Sequence, residues 1–347
     1  MPCQDAYGTW SASLAGTPCH ILAVSDGHGS DEYHHSQFGS FLAIRAAYEE
    51  FVQFFQWYAL LKTGPAVPEG LQPAGLERDF KAVFARRVVR RWRDNVKAFS
   101  KDVLRCDTDS GDSGDNVFRP FGCTLLAAML TRDRAFLLQI GDGGIFLRRE
   151  DGEVVSLADD DDEPGEATDS LASGDPEKVA IASVVSLDDV SAVMLATDGL
   201  TKSFTKADTE SVPKGIQKTM SWLVDRVVKD KLDVEGHIFE GFLDNCSKGG
   251  TGDDVTVTLA FSRAKLLAGE RKPPEPPIER DGSEATTGSA ASKGGQPSLR
   301  DDDSAGSSGP TRDAEMPPTS KSCESGDEVD SDSSSGEHLP KSAGEVF

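Results

Sequence analysis

Between residues 122 and 157 the chain carries four short apolar runs in close succession, at 122–131, 135–141, 144–149 and 153–157. Each is short for a helix, and Asp151-Gly152 between the last two is a hairpin dipeptide. Strands this close in sequence pair with their neighbours, which commits this stretch to antiparallel sheet. Further runs of the same kind lie at 20–25, 178–186, 191–197 and 254–261. Helical spacing of apolar residues marks 34–61 (Phe38, Phe41, Leu42, Ile44, Ala47) and 77–104 (Phe80, Val83, Phe84, Val88, Trp92). It also marks 212–231 (Ile216, Met220, Leu223, Val224, Val227), with a shorter helix over 234–246. The order of strand, two long helices, a run of strands, two helices and a last strand predicts antiparallel sheets with helices packed outside.

Composition divides the chain in two. From about residue 263 it becomes Ser, Gly, Pro, Asp and Glu with almost no aromatic residue, including a polyproline segment at 273–277. Such a stretch cannot bury enough apolar surface to offset its ordering entropy. The expectation is a folded domain over 1–262 and a disordered acidic tail over 263–347. The formal net charge of -23 repels a phosphate backbone, so nucleic acid is not an expected partner. No apolar stretch reaches the length of a membrane span, and the start of the chain lacks the basic flank and apolar run of a secretory signal. The six cysteines form no CxxC pair, so they are expected to be reduced thiols in a cytoplasmic protein.

Four acidic residues share one local context. Asp26 follows the run ending at Ser25, Asp142 the run ending at Ile140, and Asp198 the run ending at Thr197. Asp253 precedes the run that begins at Val255, and all four are next to glycine. Asp-Gly is a common turn dipeptide, and one instance has little weight. Four at strand ends can converge at one edge of a sheet, where their repulsion is costly unless cations neutralise it. Hard cations such as Mg²⁺ and Mn²⁺ take oxygen ligands of this kind. His34 and His35 lack a partner set for zinc with His28 and are expected in the first turn of the helix. The run at 107–115 lacks the ligand order of a calcium loop, and Asp159–Glu163 reads as a solvated charge patch.

Five motifs carry a family resemblance: ValSerAspGlyHisGly at 24–29, PheGlyCysThrLeu at 121–125, IleGlyAspGlyGly at 140–144, LeuAlaThrAspGlyLeu at 195–200 and GlyAspAspValThrVal at 252–257. In this order they resemble the signature of metal-dependent serine/threonine protein phosphatases of the protein phosphatase 2C type, over about 1–261. The resemblance implies a four-layer αββα sandwich, two antiparallel sheets flanked by helix pairs, with metals at one end between the sheets. It implies that Asp26 bridges two Mn²⁺ or Mg²⁺ ions, that the Gly27 carbonyl binds one, and that Asp198 and Asp253 hold the other. Asp142 would join a third, weaker ion, and Asp5 would stand near the metals. The implied activity is hydrolysis of phosphoserine and phosphothreonine by a metal-activated hydroxide at the binuclear centre. His28 would be the general acid for the leaving alkoxide. Phosphoproteins are the expected partners of a monomer.

The sequence departs from that pattern twice. Gln4 stands where many members have glutamate, weakening a contact near the metals. The family also has a further strand before Gln4, often with a phosphate-binding arginine; the sequence is expected to start downstream of the true beginning, and without that strand a sheet edge would be unpaired. Both departures keep open a catalytically weak regulatory or phosphoprotein-binding relative. A calcium-binding or scaffold protein whose acidic tail is the working part is a third reading.

Overall fold

A computed structural model describes residues 3–14, 17–63, 73–105, 117–157, 169–204 and 212–269. Two sheets and the helices on their outer faces form four layers. The first sheet contains β1 (Ala6–Leu14), β2 (Thr17–Ser25), β3 (Leu125–Leu130), β4 (Arg134–Ile140) and β7 (Ile181–Ser186), in the order β1-β2-β3-β4-β7. The second contains β5 (Gly144–Arg149), β6 (Val154–Ser156), β8 (Val190–Ala196) and β9 (Val257–Phe261), in the order β6-β5-β8-β9. Every paired strand is antiparallel.

The alternation of side chains along the central strands explains the layering. On β3, Leu126, Ala128 and Leu130 join Leu22 and Val24 of β2, Ile145 and Leu147 of β5, and Val193 and Leu195 of β8 in a core between the sheets. The alternate residues Leu125, Ala127 and Met129 face the long helices α1 (Ser36–Thr63) and α2 (Pro73–Asp102). In the second sheet Phe146, Ala192, Met194 and Ala196 face α5 (Lys214–Val228) and α6 (Leu232–Cys246). Strands covered on both faces read as unbroken apolar runs, which is why β3, β4 and β8 stand out in the sequence. Two short helices, α3 (Pro176–Val179) and α4 (Asp198–Thr201), lead into β7 and out of β8.

The structure corrects the sequence reading at several points. β1 is an addition to the expected strands, and it pairs with β2 along its full length, from Ala6 opposite Ser25 to Leu14 opposite Thr17. Residues 263–269, expected in the tail, form a helix, α7 (Arg263–Gly269), whose Leu266 is buried against α5 and the second sheet. Phe41 and Val83, expected on inner faces, are 56% and 44% exposed. Both lie on the far side of the helix from the buried stripes that run through Leu42, Ala46 and Phe51, and through Phe80, Phe84, Val88 and Trp92. The tail from 270, the run at 107–115 and the acidic run at 159–163 lie outside the described residues. Among the described residues β9 is an outer strand of its sheet, Cys3, Cys19, Cys123 and Cys246 are free thiols, and no helix is long and apolar enough to cross a membrane.

One glycine fixes how α1 meets the chain that leads into β3. A β-carbon on Gly39 would lie 1.9 Å from the Phe121 carbonyl oxygen, and the Gly39 carbonyl accepts a 3.0 Å hydrogen bond from Trp92 Nε1 of α2. Inside a helix, alanine normally stabilises relative to glycine by about 1 kcal/mol. Here the sign should reverse: Gly39→Ala is expected to cost about 1–3 kcal/mol through overpacking, read as a lowered melting temperature. A melting temperature raised by the substitution would show that the close approach is not a constraint.

Candidate metal centre

β2 ends at Ser25, and the three residues after it are laced to the segment that enters β3. The Asp26 N–H donates to Thr124 Oγ1 at 3.1 Å, and the Thr124 N–H donates back to the Asp26 carbonyl at 2.8 Å. Gly27 bridges Cys123, and the His28 N–H donates to the Gly122 carbonyl at 3.1 Å. Gly27 has a reason to be glycine, because a β-carbon there would lie 2.7 Å from the Gln4 carbonyl oxygen. The motifs at 24–29 and 121–125, far apart in sequence, therefore form one ledge.

Asp198 is set by a second lacing. Thr197 donates its N–H to the Thr256 carbonyl at 3.0 Å, and its Oγ1 accepts from the Thr256 N–H at 2.9 Å. The same hydroxyl donates to Asp5 Oδ2 at 3.1 Å. Asp198 then opens α4, so its carboxylate emerges where β8 stops. Asp253 follows Gly252, whose left-handed backbone (φ 78°) turns the chain out of a π-helical turn, Ser247–Thr251. The next residue, Asp254, donates its N–H to Asp253 Oδ1 at 2.9 Å and accepts from the Gln4 N–H at 2.7 Å.

Three of the four acidic turns meet. One carboxylate oxygen from each of Asp26, Asp198 and Asp253 lies within 4.8 Å of the others. Asp26 and Asp198 are buried, at 7% and 5% exposed, while Asp253 sits on the rim. Asp5 lies behind them, close enough to share a hydrogen bond with Asp26. Asp142 lies beside this group, and its Oδ2 accepts a 2.8 Å hydrogen bond from the Lys202 ammonium. That ammonium also contacts Asp198 Oδ2. The His28 ring packs edge-on against Tyr33, with centroids 4.7 Å apart, and feels the charges of Asp142, Asp198 and Lys202. The His34 and His35 rings meet edge-on next to the start of α1, and among the described residues neither joins the carboxylate group.

Burial and mutual repulsion dominate the electrostatics. Burial, a hydrogen bond with Asp198 and the charges of Asp5, Asp198 and Asp253 push the Asp26 carboxyl up to about 11. Burial raises Asp5 to about 6 against the hydrogen bonds of Thr256, Asp26 and Thr197. Burial and the Asp198 charge raise Asp253. Asp198 goes the other way: burial would raise it, but hydrogen bonds from Asp26 and Lys202 outweigh that and hold it below the ordinary value. Without a cation Asp26 thus keeps a proton and lends it to Asp198. Burial lowers His28, partly countered by the Asp142 and Asp198 charges.

The donor set suits a hard divalent cation. All the converging atoms are carboxylate oxygens, the kind of donor that Mg²⁺ and Mn²⁺ prefer. Asp198 Oδ1 and Asp5 Oδ1 are buried without a hydrogen-bond partner among the described residues. Buried lone pairs left unsatisfied are costly, and a cation is one way to satisfy them. Lys202 is the site residue that sequence reasoning misses. Its signal is its place four residues after Asp198, which on one helical turn brings the two side chains together.

Comparison with known proteins bears on the family. Among solved structures, the chain is similar to a sex determining protein of C. elegans, at 15% identity and a TM-score of 0.44, covering 75% of this chain and 61% of that one. It is similar to the serine/threonine phosphatase Stp1 of Staphylococcus aureus, at 11% identity and a TM-score of 0.36, covering 64% and 83%. It is also similar to the catalytic domain of the serine threonine protein phosphatase PstP in complex with two manganese ions, at 17% identity and a TM-score of 0.37, covering 74% and 96%. Likeness at this level carries no argument about fold, ligand or activity. No curated protein sequence matches. A family model for protein phosphatase 2C matches residues 1–234, a span that contains Asp5, Asp26, Gly27, His28, Asp142 and Asp198. The chain belongs to the protein phosphatase 2C family.

Proposed function

We propose that the chain hydrolyses phosphoserine and phosphothreonine in proteins, with two divalent cations, Mn²⁺ or Mg²⁺, held by Asp26, Gly27, Asp198 and Asp253. The observation that carries this reading is the convergence of three carboxylate oxygens within 4.8 Å at one end of the two sheets. The catalytic domain on this reading runs from the N-terminal segment through α7. Bound there, the cations would neutralise the phosphoryl oxygens and make a water nucleophile more acidic. The protein's own contribution is positioning. The ledge at 122–124 fixes Asp26, the Thr197–Thr256 lacing fixes Asp198, and Asp5 stiffens both from behind. The leaving alkoxide is a strong base and needs a proton, and His28 donates it from beside the cluster. Burial lowers His28, and the charges of Asp142 and Asp198 oppose that shift, which keeps its proton nearer to neutral pH.

The first test is hydrolysis of a phosphothreonine peptide by the purified chain with Mn²⁺, and again with excess chelator. Activity is expected only with metal, and Asp198→Asn is expected to lose about 100-fold or more, since even residues that merely orient ligands cost about 10- to 100-fold. Full metal-dependent turnover in that variant would overturn the assignment. His28 is tested by leaving group. His28→Gln should slow the peptide by about 10²–10⁴-fold while barely slowing an aryl phosphate, whose phenolate leaves without a proton. An equal loss on both substrates would remove His28 from the proton-donor role.

Stability gives a readout independent of turnover. The unfolded chain loses the Asp26 proton near the ordinary carboxyl value of 3.8, whereas the folded chain keeps it up to about 11. Through that window the metal-free fold loses stability as pH rises. Cation binding displaces the proton, so the rise in melting temperature on adding Mn²⁺ should be larger at about pH 8 than at about pH 6. Asp26→Asn removes the strain and the ligand together. Its melting temperature without metal should be higher by at least about 2–4 °C, the shift that ~1 kcal/mol gives in a domain of this size, and its response to Mn²⁺ should disappear. A variant that melts lower than the parent and still responds to Mn²⁺ would contradict the account.

A further inference from the structure

Lys202 follows the single turn of α4, and its backbone N–H closes that turn onto the carbonyls of Asp198 and Leu200. The ammonium reaches back from the open side, with the side chain 55% exposed, to a carboxylate that is only 7% exposed. It touches two strand ends at once: Asp198, which follows β8, and Asp142, in the turn between β4 and β5. The two carboxylates approach each other across this one positive charge.

The family resemblance puts a third, weaker ion at Asp142. Such an ion at Asp142 would meet an ammonium that already binds Asp142 Oδ2 and Asp198 Oδ2. A magnesium ion sits about 2.0–2.1 Å from its oxygen ligands. The Lys202 Nζ stands 2.8 Å from Asp142 Oδ2 and also binds Asp198 Oδ2, so ion and ammonium would occupy the same volume beside Asp142. Their like charges would also repel at that range.

We propose that Lys202 is a built-in cation that fills the position between Asp142 and Asp198, so that this chain takes no third divalent ion at Asp142. This rests on the reading of two ions at Asp26, Asp198 and Asp253. The lysine differs from an ion in two ways. It brings one positive charge instead of two, and it is tethered, so chelation strips the site of its exchangeable ions and leaves the outer wall charged. Asp142 then acts as the anchor of a lysine.

The test counts ions. Equilibrium dialysis of the full chain against Mn²⁺, with metal analysis of the protein compartment, should give two ions per chain. Lys202→Asp exchanges the ammonium for oxygen ligands and should give three. Lys202→Met keeps the length and removes the charge. It should let Mn²⁺ occupy Asp142 with an affinity higher than in the parent by about tenfold or more, as expected for removal of one neighbouring charge near a protein surface. If the aspartate variant fails to fold, the methionine variant decides by itself. Three ions in the parent, or two ions in the parent and in both variants, would overturn the proposal while leaving the two-ion centre standing. A parent chain that binds no Mn²⁺ would overturn the centre, and the proposal with it.

Discussion

The fold depends on forcing like charges together. Asp26 and Asp198 are almost fully buried within reach of Asp5 and Asp253, and nothing about four carboxylates favours that arrangement. The sheets supply the force. Leu22 and Val24 of β2, Leu126 of β3 and Ile145 of β5, with Val193 and Leu195 of β8, fill the space between the sheets up to the strand ends that carry the acids. Each buried aliphatic side chain contributes about 1.5–3 kcal/mol, and the acids follow as the continuation of strands that cannot move. The left-over cost appears as the proton that Asp26 keeps and as the unpartnered oxygens of Asp5 and Asp198. A site that stores repulsion in this way is poised to take up positive charge.

The same constraint decides what is legible in the sequence. β3, β4 and β8 lie between helices and the opposite sheet, so nearly every residue is apolar and their positions can be read directly. The acids at their ends are readable for the same reason, since a carboxylate that stops an apolar run stands out. β1 escapes that reading, although it alternates. Tyr7, Thr9, Ser11 and Ser13 are exposed, whereas Gly8, Trp10 and Ala12 are partly covered by the α1 side of the sheet. Three of its inner residues, Ala6, Gly8 and Ala12, are small, and only Trp10 is bulky, so the period of two lacks contrast. α7 is lost to composition, because a seven-residue helix at the edge of a polar tail weighs little in any window. Phe41 and Val83 show the converse limit. Helical spacing identifies a helix more securely than it identifies which apolar residue faces in.

Lys202 and Gln4 show why the motifs alone misjudge the charge of the centre. Each lies within four residues of a matched acid, and the role of each is visible only in the folded chain. The Gln4 side chain is held at α1: its Nε2 donates to Ser36 Oγ at 2.8 Å, and the Gln4 backbone carbonyl accepts from Ser40 Oγ at 2.6 Å. With its N–H on Asp254, this residue ties the N-terminal segment to the start of α1 and to the loop before β9. A glutamate at this position could not donate to Ser36 in its ionised form. It would also add a carboxylate next to Asp5, whose own ionisation burial already opposes. The departure from the family pattern at Gln4 therefore removes a negative charge near the buried acids, and Lys202 adds a positive one beside them. Both changes act in the same direction. They leave a cluster less negative than its aspartates suggest, and they concentrate its need for cations on the Asp26, Asp198 and Asp253 oxygens that converge at the strand ends.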